Sequence, residues 1–252
     1  MKKEDIRYGE SCVFEGMTSI SAVLASDSTD RRIIRVLYDA ERARKLARPL
    51  SFLRRKAEER GFEIVESDAE TVSSLSVGNS HGGIIAECTG RTVPELTGDL
   101  IVDGGFYVYI DGVEDPYNFG YALRSLYAAG ADAVILPERN WMTAAGVVCR
   151  SSAGASELMP LYTAPSGMCG LFREKGYKIL CADTERSVSV YDTDCKKPLL
   201  LVVGGEKRGI TRDLLDEADA VVHIDYGRPF KASLSAASAA AVLGFEIMRQ
   251  NR

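Results

Sequence analysis

One segment of the sequence combines side chains that could act on a ligand with the local signals of a ligand-binding turn. Residues 111–124 read DGVEDPYNFGYALR and follow Phe106–Ile110, an apolar run that predicts a strand. Pro116 restricts the turn, Asn118 is predicted to be the N-cap of the next helix, and Arg124 lies about two turns further along. The end of a strand followed by a helix N-terminus is where open α/β sheets bind ligands. A guanidinium in such a site could stabilise negative charge that develops during a reaction.

A second segment, Leu199–Thr211, predicts a buried strand that ends in a glycine-rich turn, GGEKRG. Gly204, Gly205 and Gly209 allow tight turns and a close approach of the backbone to a ligand, and Glu206 adds a carboxylate. The segment lacks the GK[ST] sequence of a P-loop, so it does not predict a triphosphate site. Taken by itself, it is equally well explained as an ordinary turn between a strand and a helix.

A third segment lies near the end of the sequence. Val222–Tyr226 predicts the end of another strand, and Ser233–Arg249 predicts the last helix, which begins with a run of small residues. Small residues allow a neighbouring backbone to come very close. The neighbour is either the sheet of the same domain or a helix of a second chain, and the sequence leaves both open.

The elements around these segments predict an α/β protein with two parts. The first part is a small module, and the second is a larger domain in which a parallel sheet is covered on both faces, because several strands are continuous apolar runs. A segment rich in Gly, Pro and Thr, Thr89–Gly105, predicts the linker. The strands predicted in the first part are Ile33–Tyr38, Phe62–Val65 and His81–Ala86, with helices at Glu41–Arg60 and in the segment before His81. Those predicted in the second part are Phe106–Ile110, Ala133–Leu136, Tyr177–Cys181, Leu199–Val203 and Ala220–Ile224, with helices at Asn118–Ala129, Ala144–Ser151, Thr211–Ala218 and Ser233–Arg249.

Composition excludes several classes of protein. The 252 residues are 46% hydrophobic, which suffices for a large core, and no apolar run approaches the roughly 18 residues of a membrane span. The N-terminus lacks the pattern of a signal peptide, so we expect a cytoplasmic protein. Six cysteines lie far apart without a CxxC pair, and only two histidines accompany them, so we expect reduced thiols and neither a disulfide framework nor a metal site.

Charge is distributed unevenly. The net charge is −5, yet residues 31–60 hold 11 Lys and Arg against 4 Asp and Glu, a net charge of +7. A basic patch on an acidic body fits an RNA-binding module, because phosphate contacts supply most non-specific affinity. A charged helix that merely faces solvent explains the same pattern. The residues predicted to bind RNA are Arg31, Arg32, Arg35, Arg42, Arg44, Lys45, Arg54 and Arg55.

Together the three segments, in this order and at this spacing, resemble the three sequence motifs of the SpoU (TrmH-type) RNA 2′-O-ribose methyltransferases, a family of the SPOUT class. The N-terminal part resembles that family's RNA-binding module, which is similar in fold to a small ribosomal protein. The resemblance therefore implies an RNA-binding domain at residues 1–95 and a methyltransferase domain with a deep trefoil knot at residues 96–252.

The resemblance also implies a function. It implies S-adenosylmethionine as cofactor, a ribose 2′-hydroxyl of RNA as methyl acceptor, and a homodimer. Ribosomal RNA is the favoured substrate because of the two-part layout and the basic module, and transfer RNA is the runner-up. The implied catalytic residues are Asn118, Arg124, Glu206 and Ser233. The implied cofactor-binding residues are Gly204, Gly205, Gly209, Ile224, Leu234 and Ser235.

The third motif departs from the family pattern. Ser235 stands where an asparagine is usual, Asp225 replaces a usual proline, and Lys207 replaces a frequent glycine in the second motif. These changes leave open a non-catalytic RNA-binding or assembly protein that keeps the fold. An ordinary Rossmann-type nucleotide enzyme is disfavoured, because no GxGxxG follows the first strand of the larger domain.

Overall fold

The fold comes from a computed structural model, which describes residues 12–78, 81–137, 144–205 and 208–252. These residues form two compact units, and each is built around its own sheet. Unit 1 contains the described residues up to Thr92 together with segment 144–158, and unit 2 contains 93–137 and the described residues from Met159 onward. The change of unit after Thr92 falls within the predicted linker. Segment 144–158, however, belongs to unit 1, although the sequence assigned it to the methyltransferase domain.

Unit 1 has a four-stranded mixed sheet in the order β1-β4-β2-β3, in which only β2 and β3 are parallel. Phe14, Val36 and Leu53 are among the side chains buried in its core. Its strands are β1 (Cys12–Glu15), β2 (Ile33–Asp39), β3 (Glu63–Ser67) and β4 (Ile84–Cys88). Its helices, in a numbering that runs through the whole chain, are α1 (Gly16–Ala25), α2 (Ala47–Arg60), α3 (Ala69–Leu75), α5 (Ala145–Ser151) and α6 (Ala155–Leu158).

Unit 2 has a seven-stranded, entirely parallel sheet in the order β7-β6-β5-β10-β8-β11-β9. Every residue of β5 and β6 is buried, as expected for strands that are covered on both faces. Its strands are β5 (Phe106–Asp111), β6 (Ala133–Leu136), β7 (Leu161–Thr163), β8 (Lys178–Ala182), β9 (Val188–Ser189), β10 (Leu199–Gly204) and β11 (Ala220–His223). Its helices are α4 (Pro116–Ala128), α7 (Met168–Glu174), α8 (Arg212–Asp216) and α9 (Ala236–Gln250). The parallel α/β sheet confirms the predicted fold class, whereas the trefoil knot stays a prediction.

Three helix starts differ from the sequence prediction by two residues or more. The helix α9 begins at Ala236 rather than at Ser233, because the Ser235 side chain caps it. The predicted helix Glu41–Arg60 is wrong at its beginning: a 3-10 turn covers Ala40–Arg42, and α2 begins only at Ala47. Pro49 explains the break, since it lacks an N–H and its ring clashes with the preceding turn, so it fits only the first turn of a helix. The helix α4 begins at Pro116 rather than at Asn118, because the Asp115 side chain accepts a hydrogen bond from the backbone N–H of Tyr117 and caps the helix.

Six elements were not predicted: the strands β1, β7 and β9 and the helices α1, α6 and α7. The helix α1 follows β1 without an intervening turn, and β1, β7 and β9 have only two to four residues. Such short strands carry too little alternation to be recognised locally, and they exist because a neighbouring strand pairs with them.

All six cysteines are free thiols, as expected from their spacing. Cys12 is half-buried and the other five are buried. Burial raises the pKa of the Cys149 and Cys181 thiols to about 12, so both remain protonated at neutral pH. Among the described residues, no group of His, Cys, Asp and Glu could hold a metal ion, and no helix is long and apolar enough to cross a membrane.

Candidate active site

A cavity of about 250 Å³ opens in unit 2 at the carboxyl ends of three adjacent strands, β10, β8 and β11. Its size is close to the lower end of the usual range for small-molecule sites. The carboxyl edge of a parallel sheet is where α/β proteins bind ligands. Residues at or just after the end of each strand line the cavity. From β10 and the following turn these are Val203, Gly204, Gly205 and Gly209. From β8 they are Ala182, Asp183 and Thr184, and from β11 they are Val222, His223, Ile224 and Tyr226. The segment before α9 adds Ser233 and Leu234, and α9 itself adds Ala236, Ala239 and Leu243.

Gly204 and Gly205, where the glycine turn after β10 begins, have no room for a side chain. A Cβ atom on Gly205 would lie 2.3 Å from the carbonyl oxygen of Gly112, and one on Gly204 would lie 2.5 Å from the carbonyl carbon of Gly209. Within the turn, the backbone N–H of Gly209 donates to the carbonyl of Gly205 over 3.0 Å. Gly204 and Gly205 are therefore required by close approach of backbone to backbone, and the turn that they begin contributes one wall of the cavity.

The first and second motifs are joined directly. In the sheet, Asp111 at the end of β5 lies beside Gly204 at the end of β10. The buried carboxylate of Asp111 accepts a hydrogen bond of 3.2 Å from the backbone N–H of Thr211, just after the glycine turn. Asp111 thus holds the far end of the turn against β5, which fixes the position of the cavity wall.

A hydrogen-bonded group of side chains lies beyond β11. His223 lines the cavity, and its Nδ1 lies 2.9 Å from the Ser187 hydroxyl while its Nε2 lies 3.3 Å from a carboxylate oxygen of Asp225. The second carboxylate oxygen of Asp225 accepts a hydrogen bond from the Ser189 hydroxyl. Asp225, which replaces the family's proline, is therefore held by side-chain contacts where a proline would be restricted by its ring.

The structure brings most of the predicted cofactor-binding residues into this one cavity. Ser233, predicted to be catalytic, lies in the same lining. Ser235 does not line the cavity; its hydroxyl accepts a hydrogen bond of 3.2 Å from the backbone N–H of Ser238 and caps α9. The predicted residues in the lining are Gly204, Gly205, Gly209, Ile224 and Leu234.

The predicted catalytic residues of the first motif lie elsewhere. Asn118 is half-buried in the first turn of α4 and Arg124 is exposed on the same helix, and none of the described residues that line the cavity comes from α4. Glu206, together with the neighbouring Lys207, lies outside the described residues. Within the single chain, Asn118 and Arg124 are therefore absent from the lining of the cavity, although Asp111 of the first motif contacts the glycine turn.

The predicted RNA-binding residues separate into two groups. Arg31 is buried, and its guanidinium donates to the Glu157 carboxylate at 2.9 Å, so it is not available to a phosphate. The prediction that Arg31 binds RNA is therefore wrong, and Arg31 belongs to the core of unit 1. The others are exposed on unit 1: Arg32, Arg35, Arg42, Arg44, Lys45, Arg54 and Arg55.

Four polar residues of the cavity lining were missed by sequence reasoning: Asp183, Thr184, His223 and Tyr226. Asp183 and Thr184 directly follow β8, and His223 ends β11, so all three lie at the carboxyl edge of the sheet. The rule that ligands bind at this edge could have identified them, because β8 and β11 were both predicted.

The fold and the cavity define an α/β protein with a cavity of small-ligand size at the carboxyl edge of a parallel sheet. The sequence profile of the SpoU rRNA Methylase family matches residues 105–245. The chain belongs to this family, which confirms the resemblance of the three motifs.

Relatives agree with this assignment over the whole length. The chain is 29% identical, over 100% of both sequences, to the 23S rRNA (guanosine-2′-O-)-methyltransferase RlmB of Shewanella oneidensis. It is also 29% identical to the enzyme of the same name from Ralstonia nicotianae, over 93% of this chain and 94% of the relative. The two relatives therefore match both units.

Solved structures show the same fold. The AdoMet-bound rRNA methyltransferase of Sinorhizobium meliloti superimposes with a TM-score of 0.76 at 24% identity, covering 95% of this chain and 87% of the other. The SpoU methyltransferase AviRb of Streptomyces viridochromogenes, in complex with AdoMet, also gives 0.76 at 22% identity, covering 96% and 92%.

The cofactor of this family is S-adenosylmethionine, and the cavity residues fit its chemistry. Val203, Leu234 and Leu243 offer an apolar wall for an aromatic base, and the glycine turn offers backbone groups. Asp183 offers a carboxylate for a hydroxyl or an ammonium group. One of its oxygens accepts from the backbone N–H groups of Thr184 and Glu185, and the other lies 3.9 Å from the position of a Cβ on Gly209.

Proposed function

We propose that this protein transfers the methyl group of S-adenosylmethionine to a ribose 2′-hydroxyl of ribosomal RNA. The observation that carries the proposal is the single cavity formed by the second and third motifs in a member of the SpoU rRNA Methylase family. Five predicted cofactor-binding residues line that cavity, although the sequence separates them by up to thirty positions. The relatives that match the whole chain act on guanosine of 23S rRNA by name, so 23S rRNA is the substrate we favour.

The proposed chemistry divides the work between cofactor and protein. When bound, S-adenosylmethionine supplies a methyl group activated by its sulfonium. A ribose hydroxyl is a poor nucleophile at neutral pH, so the protein has to orient it and stabilise the negative charge that develops on it. We assign the charge stabilisation to Arg124 and the orientation of the ribose to Asn118, and we assign Glu206 and Ser233 to the catalytic site on the family resemblance.

The exposed basic residues of unit 1 are the proposed RNA-docking surface. Arg44, Lys45 and Arg48 are exposed around the start of α2. Among the described residues, no carboxylate lies close enough to form an ion pair with any of them, that is, within 4.0 Å. Arg35 and Arg42, by contrast, pair with Glu87 and Asp39. Cations without a protein partner are the ones that contribute most to phosphate binding, since they give up no existing ion pair. Ribosomal RNA is found in the cytoplasm, which is the location we propose.

A homodimer is part of the proposal. Aromatic side chains are exposed on two helices that pack together in unit 2: Tyr121 on α4 is 48% exposed and Phe245 on α9 is 43% exposed. Apolar surface of this kind is typical of an interface. A second chain would also explain why α4 does not reach the cavity, because Arg124 of one protomer could then serve the cavity of its partner.

Two measurements test the function. Calorimetric titration of S-adenosylmethionine, with S-adenosylhomocysteine in parallel, should give micromolar binding to the purified protein. Incubation with tritiated cofactor and unmodified 23S rRNA should then label the RNA, and mass spectrometry of nuclease fragments should locate a 2′-O-methyl group. Labelling of transfer RNA alone would change the substrate. RNA binding without cofactor binding, even when RNA is present, would support the non-catalytic assembly protein instead.

A further inference from the structure

The loop between β11 and α9 displays two aromatic rings in solvent. Tyr226 is 39% exposed and Phe230 is 62% exposed, and their ring centroids are 6.0 Å apart with an angle of 58° between the planes. Each ring would gain free energy by burial, so an adjacent pair that is left in water indicates a surface that a ligand covers.

One ring of this pair is held in place at the rim of the cavity. The Tyr226 hydroxyl accepts a hydrogen bond of 3.1 Å from the backbone N–H of Leu234, which closes the loop across its two ends. Both Tyr226 and Leu234 line the cavity, whereas Phe230 does not. The pair therefore begins at the cofactor cavity and extends outward from it.

Positive charge accompanies the rings. Arg228 and Lys231 are exposed in the same loop. In the part of the chain that the structure describes, no carboxylate lies within 4.0 Å of either side chain, so neither forms an ion pair there. The one acidic residue of the loop, Asp225, is bound by the Ser189 hydroxyl and lies beside His223. Two aromatic faces and two cations in six residues are the groups that bind a nucleobase and its phosphates.

We propose that Tyr226 and Phe230 form a stacking platform for an unpaired base of the RNA, with Arg228 and Lys231 contacting the adjoining phosphates. The inference rests on the proposed function for two points, that the polymer is RNA and that its ribose accepts the methyl group. Stacking at the cavity rim would hold the neighbouring nucleotide so that its ribose faces the methyl group. RNA-modifying proteins commonly recognise unstacked bases in this way, because every base has an aromatic face.

The test uses the full-length protein and a short single-stranded RNA that contains 2-aminopurine, whose fluorescence is quenched by stacking. We expect the unmodified protein to quench the fluorescence. Phe230→Ala should bind the RNA about tenfold more weakly and lose the quenching, because an aromatic contact of this type raises RNA affinity roughly five- to a hundredfold. Phe230→Trp should keep both the affinity and the quenching. Arg228→Ala and Lys231→Ala should each lower the slope of log affinity against log salt by about one.

Tyr191→Ala is the matched control, because Tyr191 is 47% exposed in unit 2 but lies in a different segment, the 3-10 turn Val190–Asp192. This variant should bind the RNA as the unmodified protein does. Calorimetry should show the same affinity of Phe230→Ala for S-adenosylmethionine, since Phe230 does not line the cavity.

Four results would overturn the platform, and the first three concern fluorescence and cofactor binding. They are an absence of quenching by the unmodified protein, equal quenching by Phe230→Ala and the control, and weakened cofactor binding in Phe230→Ala, which would indicate a structural role. A change of oligomeric state in Phe230→Ala with unchanged RNA affinity would identify a protein interface and also overturn it. If the protein neither binds the cofactor nor transfers a methyl group while quenching still depends on Phe230, the proposed function fails and the platform stands.

Discussion

At the scale of single residues, Arg124 shows how little a side chain reveals by itself. It lies exposed on α4, next to the buried Leu123 and near the buried Leu126, and in isolation it would be an ordinary solvated arginine. The role that we propose for it comes from the family resemblance, in which it belongs to the first motif and would stabilise the negative charge that develops on the ribose oxygen. The guanidinium is suited to this task because it is planar and has several N–H donors.

Replacement of Arg124 by alanine should abolish methyl transfer and leave cofactor affinity nearly unchanged. The reason is that Arg124 does not line the cofactor cavity but, in our proposal, acts on the ribose oxygen as charge develops. Single-turnover kinetics with 23S rRNA, together with calorimetry for S-adenosylmethionine, measure the two effects separately. Arg124→Lys, which keeps the charge but not the fork of donors, should be intermediate, and unchanged turnover in Arg124→Ala would refute the role.

Gly205→Ala should destabilise unit 2 strongly, because the new Cβ would lie 2.3 Å from the carbonyl oxygen of Gly112 and the backbone would have to move. Overpacking of this kind typically costs about 1–3 kcal/mol or more. Gly170→Ala is the control, since Gly170 lies in α7 with no atom within 4 Å of its Cβ position. That change should raise the free energy of unfolding by about 0.5–1 kcal/mol. Urea denaturation measures both, and equal stability of the two variants would contradict the close packing.

At the scale of elements, segment 144–158 is the part of the structure that differs most from the predicted domains. The short helix α6 is held in unit 1 by buried polar contacts. The Arg31 guanidinium donates to the Glu157 carboxylate and to the Thr89 carbonyl, and the Arg91 guanidinium donates to the Ser156 carbonyl. Buried charges are retained only where partners of this kind are present.

Glu157→Gln should lower the free energy of unfolding by about 3–5 kcal/mol, because the Arg31 charge would be left buried without its partner. Glu217→Gln is the matched control. Glu217 pairs with Arg173 at a similar distance, 2.8 Å, but both side chains are about half exposed, so the loss should stay below about 1 kcal/mol. The comparison is made from denaturation midpoints in urea. A small effect of Glu157→Gln would mean that water or another group compensates the Arg31 charge.

At the scale of the whole molecule, the proposed dimer would bring α4 of one chain to the cavity of its partner. A monomer leaves Arg124 outside the cavity lining and leaves Tyr121 and Phe245 exposed. Both observations have one explanation if two chains associate through α4 and α9. The small residues Ala236, Ala237 and Ala240 at the start of α9 are buried within the chain itself, so they are not the surface that a second chain would cover.

Sedimentation analysis should therefore show a dimer, and Tyr121→Glu and Phe245→Glu should each shift it to a monomer, because a charge would be buried at the interface. Tyr191→Glu, at an equally exposed position, should leave the dimer intact. A mixture of Arg124→Ala and Ser233→Ala chains should recover part of the methyl-transfer activity if Arg124 acts on the partner's cavity. Dimers that persist in both glutamate variants would place the interface elsewhere.

Local sequence was sufficient for the elements whose signals lie within a few residues. The runs at β5 and β10 had to be buried strands, because side chains that are apolar at consecutive positions can be covered only on both faces of a sheet. The glycines at 204 and 205 predicted tight turns and a close approach to a ligand, and the structure shows instead a close approach to the backbone of Gly112 and Gly209. The long-range order of the motifs was also sufficient to identify the family.

Only the tertiary structure decided which segments meet. The position of β10 between β5 and β8 brings the glycine turn into one cavity with Asp183 and His223. Arg31, which was predicted to bind RNA, is buried in an ion pair with Glu157. The exposure of Tyr226 and Phe230 was equally hidden in the sequence. The physical reason is common to all three cases: strand pairing and burial depend on partners distant in the chain, and periodicity along a short segment carries no information about those partners.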